Sequence, residues 1–387
     1  MIAILRSGWR IERRVEPTTS GWLIALTLAA LVAITLCSLL LITAGASPIA
    51  AFVSLAKGGF GSGRALSNSL VKATPLIFTG LATALAFRAR LWNIGAEGQV
   101  FAGAMFAYWC THALGTTPAL LQIPLIILTA MIGGALFGGL AGLLKTQFKV
   151  DEVISTVMLN YIIAFGLSML LLKGPWSEAG GFFEQTAKIA IHAELPILFE
   201  KSRLHLGFLL ALLAAGALHV MLAYTPLGYE IRAAGSNLRA LAFQGTNTTR
   251  LVLVVMAVSG ALAALAGVSE VYGVHHRLKA GVLVSYGYTG IVIAILGRLH
   301  PLGVVLSAIM FGGLISGSTL MQIKTGVPST LVYAIQAIIL ICYLGAWSLA
   351  SFTIRGHRPP VGPGPPAQGG ASAPSGRHSH GGQAAHG

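Results

Sequence analysis

Side chains able to do polar chemistry are scarce in this 387-residue chain, and they gather in three short stretches. The first, Leu91-Trp92-Asn93-Ile94-Gly95-Ala96-Glu97-Gly98-Gln99, sets one carboxylate and two amides among glycines that disfavour a continuous helix. Hydrocarbon would not tolerate those groups unpaired, so the stretch reads as a helix break facing protein or water. Glu97 has no charged partner nearby, which argues against acid–base catalysis. The second stretch, Val150 to Tyr161, opens with Asp151 and Glu152, suited to the positive end of a helix, and continues with Ser155, Thr156 and Asn160. That polar stripe suits a pore or hydrogen bonding between helices equally well. The third, Pro226-Leu227-Gly228-Tyr229-Glu230-Ile231-Arg232-Ala233-Ala234-Gly235-Ser236-Asn237-Leu238-Arg239-Ala240, reads as a docking element presented to the cytoplasm.

None of these resembles an enzyme centre. His275-His276-Arg277 is the nearest approach to a catalytic cluster, and a wet external loop accounts for it. His378, His380 and His386 sit in a polar tail, where scattered histidine is the plain reading and a metal site the less economical one. No Gly-x-x-x-x-Gly-Lys-Ser/Thr phosphate loop occurs anywhere, so any ATP-derived energy enters by contact with another subunit. No cofactor and no metal are expected.

The elements that must position these stretches follow from composition. Hydrophobic residues make up 55% of the chain and charged residues 9%, against about 25% in soluble domains. Intervals free of Asp, Glu, Lys and Arg run over Gly21 to Ala56, Val100 to Leu144, Val153 to Leu172, Leu204 to Tyr229, Leu251 to Ser269, Ala280 to Gly297 and Thr325 to Ile354. With Ala65 to Phe87 and Leu302 to Gln322, and with the longest divided at Thr116-Thr117-Pro118, they accommodate about ten helices of bilayer length. The apolar runs are continuous, which excludes a β-barrel. The expected fold is an all-α, polytopic transmembrane bundle of about ten spans. Its first span is too long for a signal-peptide core.

The net charge of +14 reports topology rather than nucleic-acid binding. With the N-terminus inside, Arg6, Arg10, Arg13, Arg14, Arg88, Arg90, Lys145, Lys149, Arg232, Arg239, Arg250 and Arg298 fall on the cytoplasmic side. Lys57, Arg64, Lys72, Arg203, Arg277 and Lys279 are among those outside or near the outer face. The bias is modest and places both termini in the cytoplasm. Residues 1–20 form a basic N-terminal segment, 21–354 the membrane domain, and 355–387 a Pro/Gly/His-rich tail with too little apolar surface to fold. Within the domain, 173–205 is an external loop and 225–250 the cytoplasmic docking loop.

In that docking loop, Gly228 to Ala234 can form a short helix that Gly235 ends in a left-handed cap. Ser236 or Asn237 can cap a second helix, which Gly245 ends, and Thr246 to Thr249 offer caps for the next span. Gly134, Gly138 and Gly142, and likewise Gly313 and Gly317, recur every four residues and give their helices a smooth face for close packing. Phe137-Gly138-Gly139-Leu140 returns as Phe311-Gly312-Gly313-Leu314 in spans expected to run in opposite directions, as an inverted repeat would require.

The chain resembles the permease subunits of bacterial ABC importers in the branched-chain amino acid and simple sugar group, and within it the nucleoside-type branch. The resemblance rests on Asn93 to Gln99, Glu152 to Tyr161, Gly228 to Ala240, and Gly287-Tyr288-Thr289-Gly290-Ile291-Val292-Ile293-Ala294-Ile295-Leu296-Gly297-Arg298 with His300-Pro301-Leu302-Gly303. It spans roughly Ser20 to Ala350. It implies a separate ATP-binding subunit that hydrolyses the ATP, a second permease subunit or a copy of this one, an external substrate-binding lipoprotein, and residence in the bacterial cytoplasmic membrane. In that scheme Gly228, Tyr229, Glu230, Arg232, Ala233, Gly235, Asn237 and Arg239 couple to the ATPase. Asn93, Gly95, Glu97, Gly98, Gln99, Ser155 and Asn160 border the pathway of a nucleoside or a related solute.

The alternatives are a permease for a simple sugar such as ribose and a secondary carrier driven by an ion gradient. A carrier of that kind would place ionisable groups at the bilayer midplane, where only Lys72, Glu97 and Glu270 are available.

Overall fold

The computed structural model describes residues 9–13 and 19–356, apart from 116, 173, 179, 181–182, 201, 280, 282 and 351. The chain runs through α1 (Thr19–Thr43), α2 (Pro48–Phe60), α3 (Gly63–Arg88), α4 (Ala96–Leu114), α5 (Ala119–Gln147) and α6 (Glu152–Leu172). It continues through α7 (Leu206–Tyr224), α8 (Pro226–Phe243), α9 (Thr248–Glu270), α10 (Tyr286–Leu296), α11 (Pro301–Thr325) and α12 (Leu331–Ala350). Among the described residues eight helices are long and apolar enough to cross a membrane: α1, α3, α5, α6, α7, α9, α11 and α12. The two other expected passages are α4, whose first turn carries Glu97 and Gln99, and α10, which at 11 residues is half a span.

One expected span divides. The uncharged interval from Gly21 to Ala56 turns at Gly45, whose φ is +78°, and Pro48 opens α2 at its first position. α2 then lies antiparallel to α11 at backbone contact: a methyl group on Gly59 would sit 2.6 Å from the Gly313 carbonyl, and one on Gly317 would sit 2.2 Å from that of Leu55. The smooth glycine face read from α5 is used in the same way. Methyls on Gly134 and Gly138 would lie 2.2 Å from the carbonyls of Gly260 and Met256 in α9.

The packing partners exchange in pairs. α5 packs on α9 and α11 packs on α3; α4 packs on α9 and α10 on α3; α3 and α9 pack on each other. That is the pattern of two four-helix units, α3–α6 and α9–α12, each laying its second and third helices against the first helix of the other. α3 ends and α9 begins beside α8, so the two first helices run in opposite directions. The Phe-Gly-Gly-Leu tetrapeptides occupy α5 and α11, the matching members of the two units. The expected inverted repeat is thus the organising principle of the bundle.

Outside that core, α1 packs along α12, and β1 (Trp9–Arg13) pairs antiparallel with β2 (Phe352–Gly356), from Trp9 opposite Gly356 to Arg13 opposite Phe352. Both ends of the domain therefore leave on one face. The segments read as a basic N-terminus and a tail each contribute to this ribbon, because ladder pairing satisfies backbone groups that neither segment satisfies alone. The histidines of the tail lie outside the described residues. The loop between α6 and α7 is stitched to the segment that follows α9, with Thr186 N donating to Leu278 O at 3.0 Å, Ile189 N to His276 O at 2.9 Å and Leu195 N to Tyr272 O at 2.9 Å. Arg277 pairs with Glu178 across the same seam and holds that carboxyl below its usual range.

Candidate translocation and coupling site

The helix break expected at Asn93 to Gln99 is present, and it is built against a second one. α4 starts at Ala96 and α10 at Tyr286, and their first turns touch: a methyl on Gly287 would lie 2.2 Å from the Glu97 nitrogen. Two helix N-termini, each equivalent to roughly half a positive charge, thus converge in the bundle. Glu97 answers both. It sits in the first turn of α4, and its carboxylate accepts from Gly287 N at 2.7 Å and from Ser285 N. Among the described residues Glu97 has no ion-pair partner, and these dipoles account for its buried carboxylate.

Around this junction the polar side chains satisfy one another. Asn93 Nδ2 donates to Gln99 Oε1 at 3.0 Å and to Ser259 Oγ at 2.8 Å, and Asn93 Oδ1 accepts from Gly95 N at 3.0 Å and Gln99 Nε2 at 3.1 Å. Asn160 of α6 reaches across, accepting from Gly98 N at 2.8 Å and donating to Ile94 O at 3.0 Å. Asn93, Glu97, Gln99 and Asn160 are all buried. The structure brings these four together with Gly95 and Gly98 and leaves Ser155 out: its hydroxyl donates to the Glu152 carbonyl one turn below at 3.3 Å. Thr156 does likewise at 2.6 Å. Ser259, which also donates to Ala82 O at 2.7 Å, belongs to the cluster and was missed, since a lone serine in an apolar span carries no spacing signal. Replacing Asn160 by leucine orphans a buried N–H and a buried C=O, and is expected to destabilise the bundle by about 2–4 kcal/mol. Thermal aggregation of the detergent-solubilised protein measures it.

In the segment expected to dock, α8 is two helices across a kink. Thr225 caps the first, accepting from Gly228 N at 3.1 Å, with Pro226 at its first position. Asn237 stands at the kink with φ −156° and ψ 102°, and its side chain caps the second, accepting from Arg239 N at 3.0 Å and Ala240 N at 3.1 Å. Gly245 ends it with φ +87°, and Asn247 caps α9. The left-handed cap expected at Gly235 is absent. That glycine is required by contact instead: a methyl there would lie 2.0 Å from the carbonyl oxygen of Arg88, at the end of α3. Arg88 also donates from Nε to Leu299 O at 2.8 Å, so α3, α8 and the α10–α11 turn meet at one residue.

Gly228, Ile231, Ala234 and Leu241 form the buried face of α8. Tyr229, Arg232, Leu238, Arg239 and Phe243 face out, with Glu230 and Ala233 half-buried. Phe243 is 92% exposed, and a groove of about 470 Å³ is lined by Tyr229, Arg232, Asn237, Leu241 and Gln244.

The family described as the permease component of the branched-chain amino acid transport system matches residues 65–344. The chain belongs to this family. The permease is 34% identical to the guanosine ABC transporter permease NupP of Bacillus subtilis, over 84% of its own length and 94% of that protein. It is 33% identical to the glucose permease TsgB13 of Haloferax volcanii, over 86% and 90%, and 31% identical to the nucleoside permease NupB of Lactococcus lactis, over 76% and 83%. Bacillus subtilis and Lactococcus lactis each also have a second permease named for the same solute, 26% and 25% identical to this one. No solved structure matches the chain. The permease is a multi-pass membrane component of an ABC transporter, a transport subunit in a family of noncatalytic parts.

Proposed function

We propose that this permease forms half of an inward pathway for nucleosides in the bacterial cytoplasmic membrane, driven by a separate ATP-binding subunit that grips α8. The observation that carries the reading is α8 itself: a kinked, capped pair of helices packed on α7, α9 and the end of α3 and offering Tyr229, Arg232, Leu238, Arg239 and Phe243 outward. Movement of Gly228 to Arg239 would be transmitted through the Gly235–Arg88 contact to α3 and the α10–α11 turn. Those elements lead to the Glu97 junction, which in this reading frames the pathway, with Asn93, Gly95, Gly98, Gln99, Ser155 and Asn160 shaping the helices rather than holding the solute.

The pairing of a closer and a more distant permease in two bacteria supports a heterodimer, in which this chain takes the role of the closer member. An external substrate-binding lipoprotein would deliver the solute to the outer face, near the stitched loop 173–205. The glucose permease among the relatives keeps a simple sugar as the second reading. Substitution of Phe243 by aspartate is expected to reduce co-purification of the ATP-binding subunit at least about tenfold, since an exposed aromatic anchor at an interface is worth about 2 kcal/mol. Undiminished co-purification would refute the assignment of α8.

A further inference from the structure

The outer half of the bundle holds a cavity of about 1070 Å³ between α2, α3, α11 and the start of α12, closed on one side by the external loop. Lys57, Arg64, Lys72 and Arg203 line it, with His275 and a surround of serine and threonine hydroxyls, and no Asp or Glu does. Among the described residues none of the four cations has a carboxylate partner; Glu270, fully buried, stands against His275 instead, with Oε2 3.1 Å from its Nε2. Lys72 is half-buried, nine residues into α3 and so roughly 13 Å below its outer start. An unpaired lysine at that depth is costly and marks a ligand path. The first turns of α3 and α12 border the same space and add the positive ends of two long helices.

A neutral nucleoside offers these groups hydrogen-bond acceptors but no counter-charge. We infer that the cavity is an anion-binding vestibule for a phosphate-bearing solute, with Lys72 at its floor and Lys57, Arg64 and Arg203 around its mouth. Cations from three separate elements exceed what one carboxylate can use, whereas a phosphomonoester brings close to two negative charges and three acceptor oxygens. The volume is at the upper end for small-molecule sites and leaves room for a base and a sugar beside the phosphate. The inference extends the reading of the chain as a nucleoside permease and is independent of coupling, because equilibrium binding needs no ATP.

The full chain in nanodiscs of zwitterionic lipid would be titrated with guanosine monophosphate, inorganic phosphate and guanosine. Expected are binding of the monophosphate about tenfold or more tighter than guanosine, competition by inorganic phosphate, and weakening as salt rises from about 50 to 300 mM. Lys72→Gln should lower affinity for the monophosphate about tenfold and leave guanosine unchanged. The exposed pair Lys57→Gln with Arg64→Gln should act in the same direction, and guards against misfolding of the Lys72 variant. Equal affinity for the two nucleosidic probes, or variants without effect, would overturn the inference. So would retention of anionic lipid through purification with no binding of the monophosphate. Guanosine bound and the monophosphate refused would sink this inference alone and leave the nucleoside reading standing.

Discussion

Replacing Gly235 by valine is expected to cut ATP-driven uptake about tenfold or more while the protein still inserts and purifies, because the added Cβ would lie 2.0 Å from the Arg88 carbonyl. Overpacking of this kind costs about 1–3 kcal/mol and is relieved only by moving α8 away from α3. In the proposed coupling, a displaced α8 no longer seats both an ATP-binding subunit and the bundle. Asparagine distinguishes this cause from the one the sequence suggests: it tolerates a left-handed cap, yet carries the same Cβ, so Gly235→Asn is expected to fail as well. By contrast Gly245, which does have a positive φ and open space around it, should cost only about 1 kcal/mol as alanine. Uptake and ATP hydrolysis in proteoliposomes holding the full complex measure both. Normal coupling in Gly235→Val would show that α8 and α3 do not bear on each other.

The second large effect is expected at Glu97. Alanine there leaves the amides of Ser285 and Gly287 unpaired and two converging helix N-termini without their counter-charge. Hydrogen bonds to a charged group are worth about 1.5–3 kcal/mol each, so a loss of about 3–5 kcal/mol follows. Glutamine keeps the shape, loses the charge and turns an NH₂ toward a donor, and should fall between. The ranking Glu above Gln above Ala is read from the temperature at which the solubilised protein leaves the monodisperse peak. A Glu97→Gln protein as robust as the natural one would mean that the dipoles do not need the carboxylate, and the account of the junction would be wrong.

Much of the docking loop was legible because capping is local chemistry. Asn237 and Gly245 were readable from residue type and spacing, and each does what such a residue does over two or three positions of chain. Gly235 was readable as special and unreadable as to why. Glycine serves a positive φ and a close approach equally, and only the position of Arg88, 147 residues away in sequence, separates the two. The polar stripe on α6 divides in the same way: Asn160 is drawn into the junction by groups on α4, while Ser155 and Thr156, within two turns of it, spend their hydroxyls on their own helix.

By itself the sequence determined that this is a helical membrane protein of about ten passages, with a break before α4, a capped pair of short helices before α9 and a family to which it belongs. All of these follow from runs of apolar residues, from turn chemistry within a few residues, or from motifs contiguous in the chain. The tertiary structure alone decided that α2 folds back along α11, that α4 and α10 meet end to end at Glu97, and that four cations surround one outer cavity. Each depends on groups far apart in the sequence that the fold brings together. Pairings at such separation are settled by which backbones can approach and which buried charges find counter-charge, and neither is written in local order.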